Sequence, residues 1–249
     1  MSKVAEKKPQ EKNENLENNP KDEVVQNIFQ IAIDGPSASG KGTKARLLAR
    51  RLGLLCLDTG ALYRGITIHL METGIDITDE GAVEKSLKEM KLTVNLAEGD
   101  THIYLGKKDV TSRLHDVDTC SNVYTVAQLP KVREHVRRIQ HDTAKDRPVI
   151  VEGRDITSVV FPDALFKFYI TASLSERARR RYEQEVAKGN QKITLAHVQN
   201  MLYERDKADM ERPESPLVKV KDAIVVDCTT KNPFEVVGMM EKIISRTLV

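Results

Sequence analysis

Two glycines and a lysine stand at a spacing that suits a phosphate: Gly35-Pro36-Ser37-Ala38-Ser39-Gly40-Lys41-Gly42-Thr43 fits G-x-x-x-x-G-K. Glycines let the chain curl until successive backbone N–H groups face one anion, and the lysine adds a mobile cation for the outer phosphates. An apolar strand before the motif and a helix after it would add the partial positive charge of a helix N-terminus. The common form of this loop has Ser or Thr directly after the lysine. Here Gly42 stands there, and the hydroxyl comes one residue later, at Thr43.

A phosphate loop points to a donor and leaves the reaction open. Asp58-Thr59-Gly60-Ala61-Leu62-Tyr63-Arg64 follows a short apolar run, and Glu152-Gly153-Arg154-Asp155 ends another, Val149–Val151. Ligands of an open α/β sheet bind beyond the carboxyl ends of the strands, so both motifs are expected beside the loop. Glu152 also stands where phosphate-loop enzymes keep an acidic residue for the magnesium shell. Arg205, Asp209 and Arg212 are spaced to share one helix face, and Arg177, Arg180 and Arg181 form a second cluster. Either cluster suits a solvated, salt-bridged surface. Either also suits phosphoryl transfer, whose transition state spreads negative charge over equatorial oxygens and is stabilised mainly by positioned cations.

Positioning these residues requires alternating strands and helices. Ile28–Ile33 reads as a first strand and Thr43–Leu52 as the helix after it. Leu54–Leu57 is a second strand, followed by a helix over Gly60–Glu72 that Gly74 closes. Val149–Val151, Phe166–Ile170 and Ala223–Val226 are further buried strands, which makes a parallel five-stranded sheet. A helix over 173–188 starts with Ser173 and Glu176 as a capping box and stops at Gly189. Pro130 opens the helix that carries Arg133, and Pro213 ends the one that carries Arg205. Residues 80–118 break the alternation: Leu92–Leu96 and His102–Leu105 read as a β hairpin in an inserted subdomain.

The remaining composition narrows the class. The chain has 249 residues, 39 Lys plus Arg against 37 Asp plus Glu, and 40% hydrophobic content. Met1–Asn27 holds five Lys and six Asp or Glu with no aromatic residue, and is expected to be a disordered tail before a domain over 28–249. Cys56, Cys120 and Cys228 show no C-x-x-C spacing, so a cytoplasmic protein without a disulfide framework is expected. No apolar run approaches the roughly 18 residues of a membrane helix. A net charge of +2 singles out no polyanion, so neither membrane nor nucleic acid is an expected partner. The six histidines, His69, His102, His115, His135, His141 and His197, lack ligand spacing and read as bystanders.

GPSASGKGT, DTGALYR, PKVR, EGRDITSVVFPDA and ERDKADMERPESPL, in this order from about Ile28 to Val249, resemble the bacterial cytidylate kinases. The resemblance implies a three-layer α/β P-loop kinase whose 80–118 insert belongs to the monophosphate-binding region. It implies transfer of the γ-phosphate of ATP to CMP or dCMP by a monomer, with Mg2+, in pyrimidine nucleotide metabolism. The loop Gly35–Thr43 with Lys41 would bind ATP, and Arg177, from the second arginine cluster, is expected to join it. Arg64, Arg154 and Arg212 would hold the acceptor phosphate, with Lys41, Arg154 and Arg212 catalytic. Arg205 and Asp209 would contact the sugar, Arg133 and Asp155 the cytosine edge, with Thr59 and Tyr63 beside the nucleotide. A carboxylate suits cytosine's exocyclic amine, and a guanidinium its ring acceptors. Tyr124 departs from the family, which has a serine there touching the base, and Ala208 replaces an arginine of some relatives. Other small-acceptor kinases, for UMP, AMP or shikimate, are the rival enzymes. A nucleotide-binding regulatory module without turnover is the rival of another class.

Overall fold

The computed structural model describes residues 28–97 and 99–247, and the charged segment 1–27 lies outside them. Five parallel strands form the central sheet: β1 (Gln30–Asp34), β2 (Leu55–Asp58), β6 (Val149–Glu152), β7 (Phe166–Thr171) and β8 (Ile224–Asp227). Their order is β2-β6-β1-β7-β8, which puts Ile31 level with Ile150 on one side and Phe166 on the other. Successive residues of a strand face opposite ways. Ala32, Val151 and Leu57 therefore join one core with Leu62, Ile66, Val132 and Val136. Ile31, Ile33, Ile150 and Phe168 join the other with Leu48, Val236 and Met240. Burial on both faces explains the unbroken apolar runs. Cys56 and Cys228 are buried in the second core, as small apolar side chains would be, and Cys120 is exposed.

Around the sheet lie α1 (Lys41–Leu52), α2 (Thr59–Thr73), α3 (Glu80–Glu89), α4 (Val117–Val126), α5 (Pro130–Ala144), α6 (Leu174–Ala187), α7 (Leu195–Glu211) and α8 (Pro233–Thr247). The carboxylate of Asp58 accepts from the Ala61 N–H at the start of α2, and Gly74 at φ 64° closes that helix. Pro130 takes the first turn of α5. Three expectations need correction. The first strand begins at Gln30, because Ile28 is 60% exposed and has no neighbour strand to join. The last strand is an edge, with only Val226 of its four residues buried. The capping box of α6 is half formed. Ser173 Oγ accepts from Glu176 N, but the Ser173 N–H goes to Thr229 Oγ1 and the Glu176 carboxylate binds Arg179 and Arg180.

The expected hairpin is present as β3 (Leu92–Ala97) and β4 (Asp100–Leu105), and a short β5 (Lys108–Asp109) extends it to three antiparallel strands. This small sheet is fastened to the main one. Thr101 Oγ1 donates to Cys56 O and accepts from Asp58 N. Ile103 is buried in the first core, close over Gly65, where a Cβ would lie 2.7 Å from its Cγ2. The helices α3 and α4 were not legible in this stretch. Each buries only one short stripe, Val83, Ser86 and Leu87 in α3 and Thr119, Val123 and Val126 in α4. No helix among the described residues is long and apolar enough to cross a membrane.

Candidate active site

The carboxyl ends of β1, β2 and β6 deliver three chain segments to one place. β1 enters the phosphate loop, β2 ends on Asp58, and β6 ends on Glu152. They open into a cleft of about 1030 Å³ that also takes side chains from α4 to α7. Twelve Lys or Arg line it against six Asp or Glu, in a chain whose net charge is only +2. The positive charge is concentrated at this cleft, which marks it as an anion site.

The loop itself is tightly built. At Gly35 a Cβ would stand 2.0 Å from Ile170 O, so no other residue fits there. Gly40, at φ 78°, turns the chain into α1. Lys41 Nζ donates to Pro36 O across the loop, and Lys44 Nζ donates to Ser39 O. Of the expected loop residues, Ala38, Gly40, Lys41, Gly42 and Thr43 line the cleft, whereas Gly35, Pro36, Ser37 and Ser39 do not. Burial, reinforced by Arg154, pushes the Lys41 ammonium down to about 7. Burial, reinforced by the charge of Asp58, pushes the neighbouring Glu152 carboxyl up.

The expected acceptor residues converge from separate elements. Thr59, Tyr63, Arg64, Arg133, Glu152, Arg154, Asp155, Arg205, Asp209 and Arg212 all line the cleft. Arg154 bridges the phosphate loop and α7. Its Nε donates to Asp209 Oδ2 at 3.0 Å, and its Nη2 to Ser37 Oγ at 3.2 Å. Arg133 and Asp155 are both buried and bond to one another, with the Arg133 guanidinium 5.7 Å from the Tyr63 ring centroid. Asp34, fully buried at the end of β1, accepts from Ile156 N, Thr157 N and Thr157 Oγ1, and so fixes the turn that carries Arg154 and Asp155. Thr59 Oγ1 is committed to Glu152 O at 2.8 Å, so it braces the two segments.

Three guanidinium nitrogens in this cleft, Arg64 Nε, Arg133 Nε and Arg212 Nη2, are buried without a hydrogen-bond partner. A buried donor left unpaired is costly, and these three point to a ligand rich in acceptor oxygens. Crowding tells the same story. Burial first, then a neighbouring guanidinium, lowers the pKa of Arg205 beside Arg154 and of Arg212 beside Arg133. A bound anion would relieve both.

A family model for cytidylate kinase matches residues 31–246. The chain belongs to the cytidylate kinase family. It is 38% identical to the cytidylate kinase of Lactiplantibacillus plantarum over 223 residues, 90% of this chain and 97% of that one. It is 39% identical to the cytidylate kinase of Streptococcus mutans over 216 residues, 86% and 95% of the two chains. Among solved structures, an uncharacterized protein from Eubacterium ventriosum aligns with TM-score 0.50 at 14% identity, covering 88% of this chain and 99% of that one. At that identity it speaks to the α/β fold alone.

One residue expected to bind ATP lies elsewhere. Arg177 is buried beneath the loop and does not line the cleft, where Arg179, Arg180 and Arg181 do. Arg179 was missed because its two ion pairs, with Glu176 and Glu183, give it the spacing of a surface helix face. Tyr124 does reach the cleft wall, beside Val123 and Ala127, at 38% exposure. His115 reaches it as well, while the other histidines stay outside this cleft.

Proposed function

We propose that this family member transfers the γ-phosphate of ATP to CMP or dCMP, releasing ADP and CDP or dCDP. The observation that carries the reading is the set of unpartnered nitrogens on Arg64, Arg133 and Arg212, which ask for a ligand with acceptors at both its phosphate and its base. Lys41 and the loop take the donor phosphates. Arg64, Arg154 and Arg212 hold the acceptor phosphate, and Arg154, between Ser37 and Asp209, follows the charge that develops between the substrates. Arg205 and Asp209 face the sugar, and Arg133 with Asp155 reads cytosine. The segment 80–118 serves as the acceptor-side insert, supported by the closeness of His115 to the cleft and of Thr101 to Asp58. Such substrates belong to pyrimidine nucleotide metabolism in the cytoplasm, where the chain would act as a monomer.

The residues fit Mg2+ held together with substrate phosphates. Among the described residues no group of three or more His, Cys, Asp or Glu could hold a metal alone. Glu152 and Asp58 offer two carboxylates at the cleft, where burial first and then the charge of Asp58 raise the Glu152 pKa, and Thr43 adds a hydroxyl. These are hard oxygen donors, and magnesium bound with substrate phosphates needs only one or two carboxylates. The ion would neutralise charge on the donor's phosphate oxygens. ADP release measured against CMP, dCMP, UMP and AMP tests the reading; turnover of UMP or AMP in preference to both cytidine nucleotides would overturn it.

The depressed Lys41 pKa gives a signed expectation. The free protein loses this charge as pH rises through about 7. Triphosphate favours the protonated form, so binding of metal-free ATP should take up protons, and Glu152 would be pushed the same way. Affinity should fall by up to about tenfold per pH unit above that point. Calorimetry in two buffers of different ionisation heat reads the uptake, and no uptake between about pH 6.5 and 8.5 would contradict it.

A further inference from the structure

Arg177 and Asp206 form a buried ion pair between α6 and α7, outside the cleft but against the phosphate loop. Asp206 Oδ1 accepts from Ser37 N at 2.8 Å, and Arg177 Nη1 donates to Ser37 O at 2.9 Å. One residue of the loop is thus gripped at its N–H and its C=O, on either side of its Cα, by the two partners of one ion pair. Arg177 Nε donates to Ala172 O at 3.0 Å, which ties the pair to the end of β7 as well. The next residue, Ala38, has φ 56°, a left-handed conformation that L side chains rarely adopt. Its side chain packs on Ala178, Val198 and Leu202, the small core shared by the same two helices.

The geometry points to Arg177 and Asp206 as positioning residues for the donor phosphates. Their pair clasps Ser37, holds Ala38 in its strained turn, and sets the curl of the loop that Lys41 closes. This rests on the reading of the loop as the ATP site. It also makes the donor site depend on the packing of α6 against α7, since neither partner of the clasp lies on the loop. A backbone conformation of this kind persists only where its surroundings over-determine it. Amide substitution shows the specificity of the arrangement. Asp206→Asn is nearly isosteric, but its single carbonyl oxygen can face Ser37 N–H or Arg177, and its NH2 must then face the other donor.

Full-length wild type, Asp206→Asn and Arg177→Lys are compared by calorimetric titration with ATP alone, then by kinetics with CMP varied at saturating ATP. Both are run well below each variant's melting temperature, so that lost stability alone moves neither constant. Each variant should weaken ATP by about 10- to 100-fold, the range for losing a charge-assisted bond. The KM for CMP should stay within about threefold, the margin of a site that keeps its contacts. Unchanged ATP affinity, or equal weakening toward ATP and CMP, overturns the clasp. If Asp206→Asn does not fold, Arg177→Lys decides, because it keeps the buried charge and loses only the fork. A wild type that binds ATP but phosphorylates no CMP sinks the substrate reading, while the titrations still judge the clasp. A wild type that binds no ATP overturns both.

Discussion

Replacing Arg154 by alanine should lower kcat by about three orders of magnitude or more, since an arginine acting on phosphoryl-transfer charge is worth 10³–10⁵ in rate. The reason is its position. Its Nη2 touches Ser37 of the loop proposed to hold the donor, while its Nε touches Asp209, proposed to face the acceptor. A guanidinium there can follow negative charge as the phosphoryl group crosses, and such an interaction appears in kcat more than in ground-state binding. ATP binding should change far less. Arg154 is one of the groups that depress the Lys41 pKa, after burial itself, so its removal should raise that pKa. The charge regained on Lys41 above pH 7 partly offsets the guanidinium lost, so the alanine variant should lose much less affinity for metal-free ATP than turnover. Arg154→Lys should fall between, since an ammonium keeps the charge but cannot fork between two partners. If Arg154→Ala kept more than a tenth of wild-type turnover with both substrates saturating, the assignment would be wrong.

The same region shows what a sequence yields and what it withholds. The strand–loop–helix around Lys41 was legible because its apolar run, glycines and lysine are contiguous, and every residue between Gly35 and Thr43 is local to one turn. The convergence of Asp58, Glu152 and the arginines was legible through a general rule about strand ends, helped by resemblance. Asp206 was not read, although a signal existed. The buried stripe of α7 runs Val198, Leu202, Asp206, Asp209, so a carboxylate occupies a position where the 3.6-residue period calls for an apolar side chain. A charged residue on a core stripe needs a partner, and Arg177 on the adjoining helix is that partner. Pairing across 29 residues depends on how the helices pack, which no local pattern encodes. Asp34 is a similar case: beside a glycine it looks like part of the turn, but its three bonds hold a segment 122 residues away.

The substrate choice makes a second large expectation. UMP carries a carbonyl where CMP carries its exocyclic amine, so in the wild type its lone pairs would face the Asp155 carboxylate with no proton between them. That repulsion and an unpaired acceptor should make the wild type prefer CMP. In the structure one Asp155 oxygen accepts from Arg133 Nη2, while Arg133 Nε remains without a partner. Asp155→Asn can offer its NH2 to a carbonyl, so the CMP to UMP ratio of kcat/KM should fall roughly 5- to 150-fold, the equivalent of one base-edge pair. Because the pair with Arg133 is buried, the same change should also lower thermal stability, and the ratio must be read at a temperature where the variant is fully folded. The two effects separate cleanly. Lost stability with an unchanged ratio, and equal losses on both substrates, would mean that Asp155 serves only to hold Arg133. Base selection would then pass to another part of the cleft lining, where Tyr124 presents a phenol, and Tyr124→Ser would become the variant whose ratio should move.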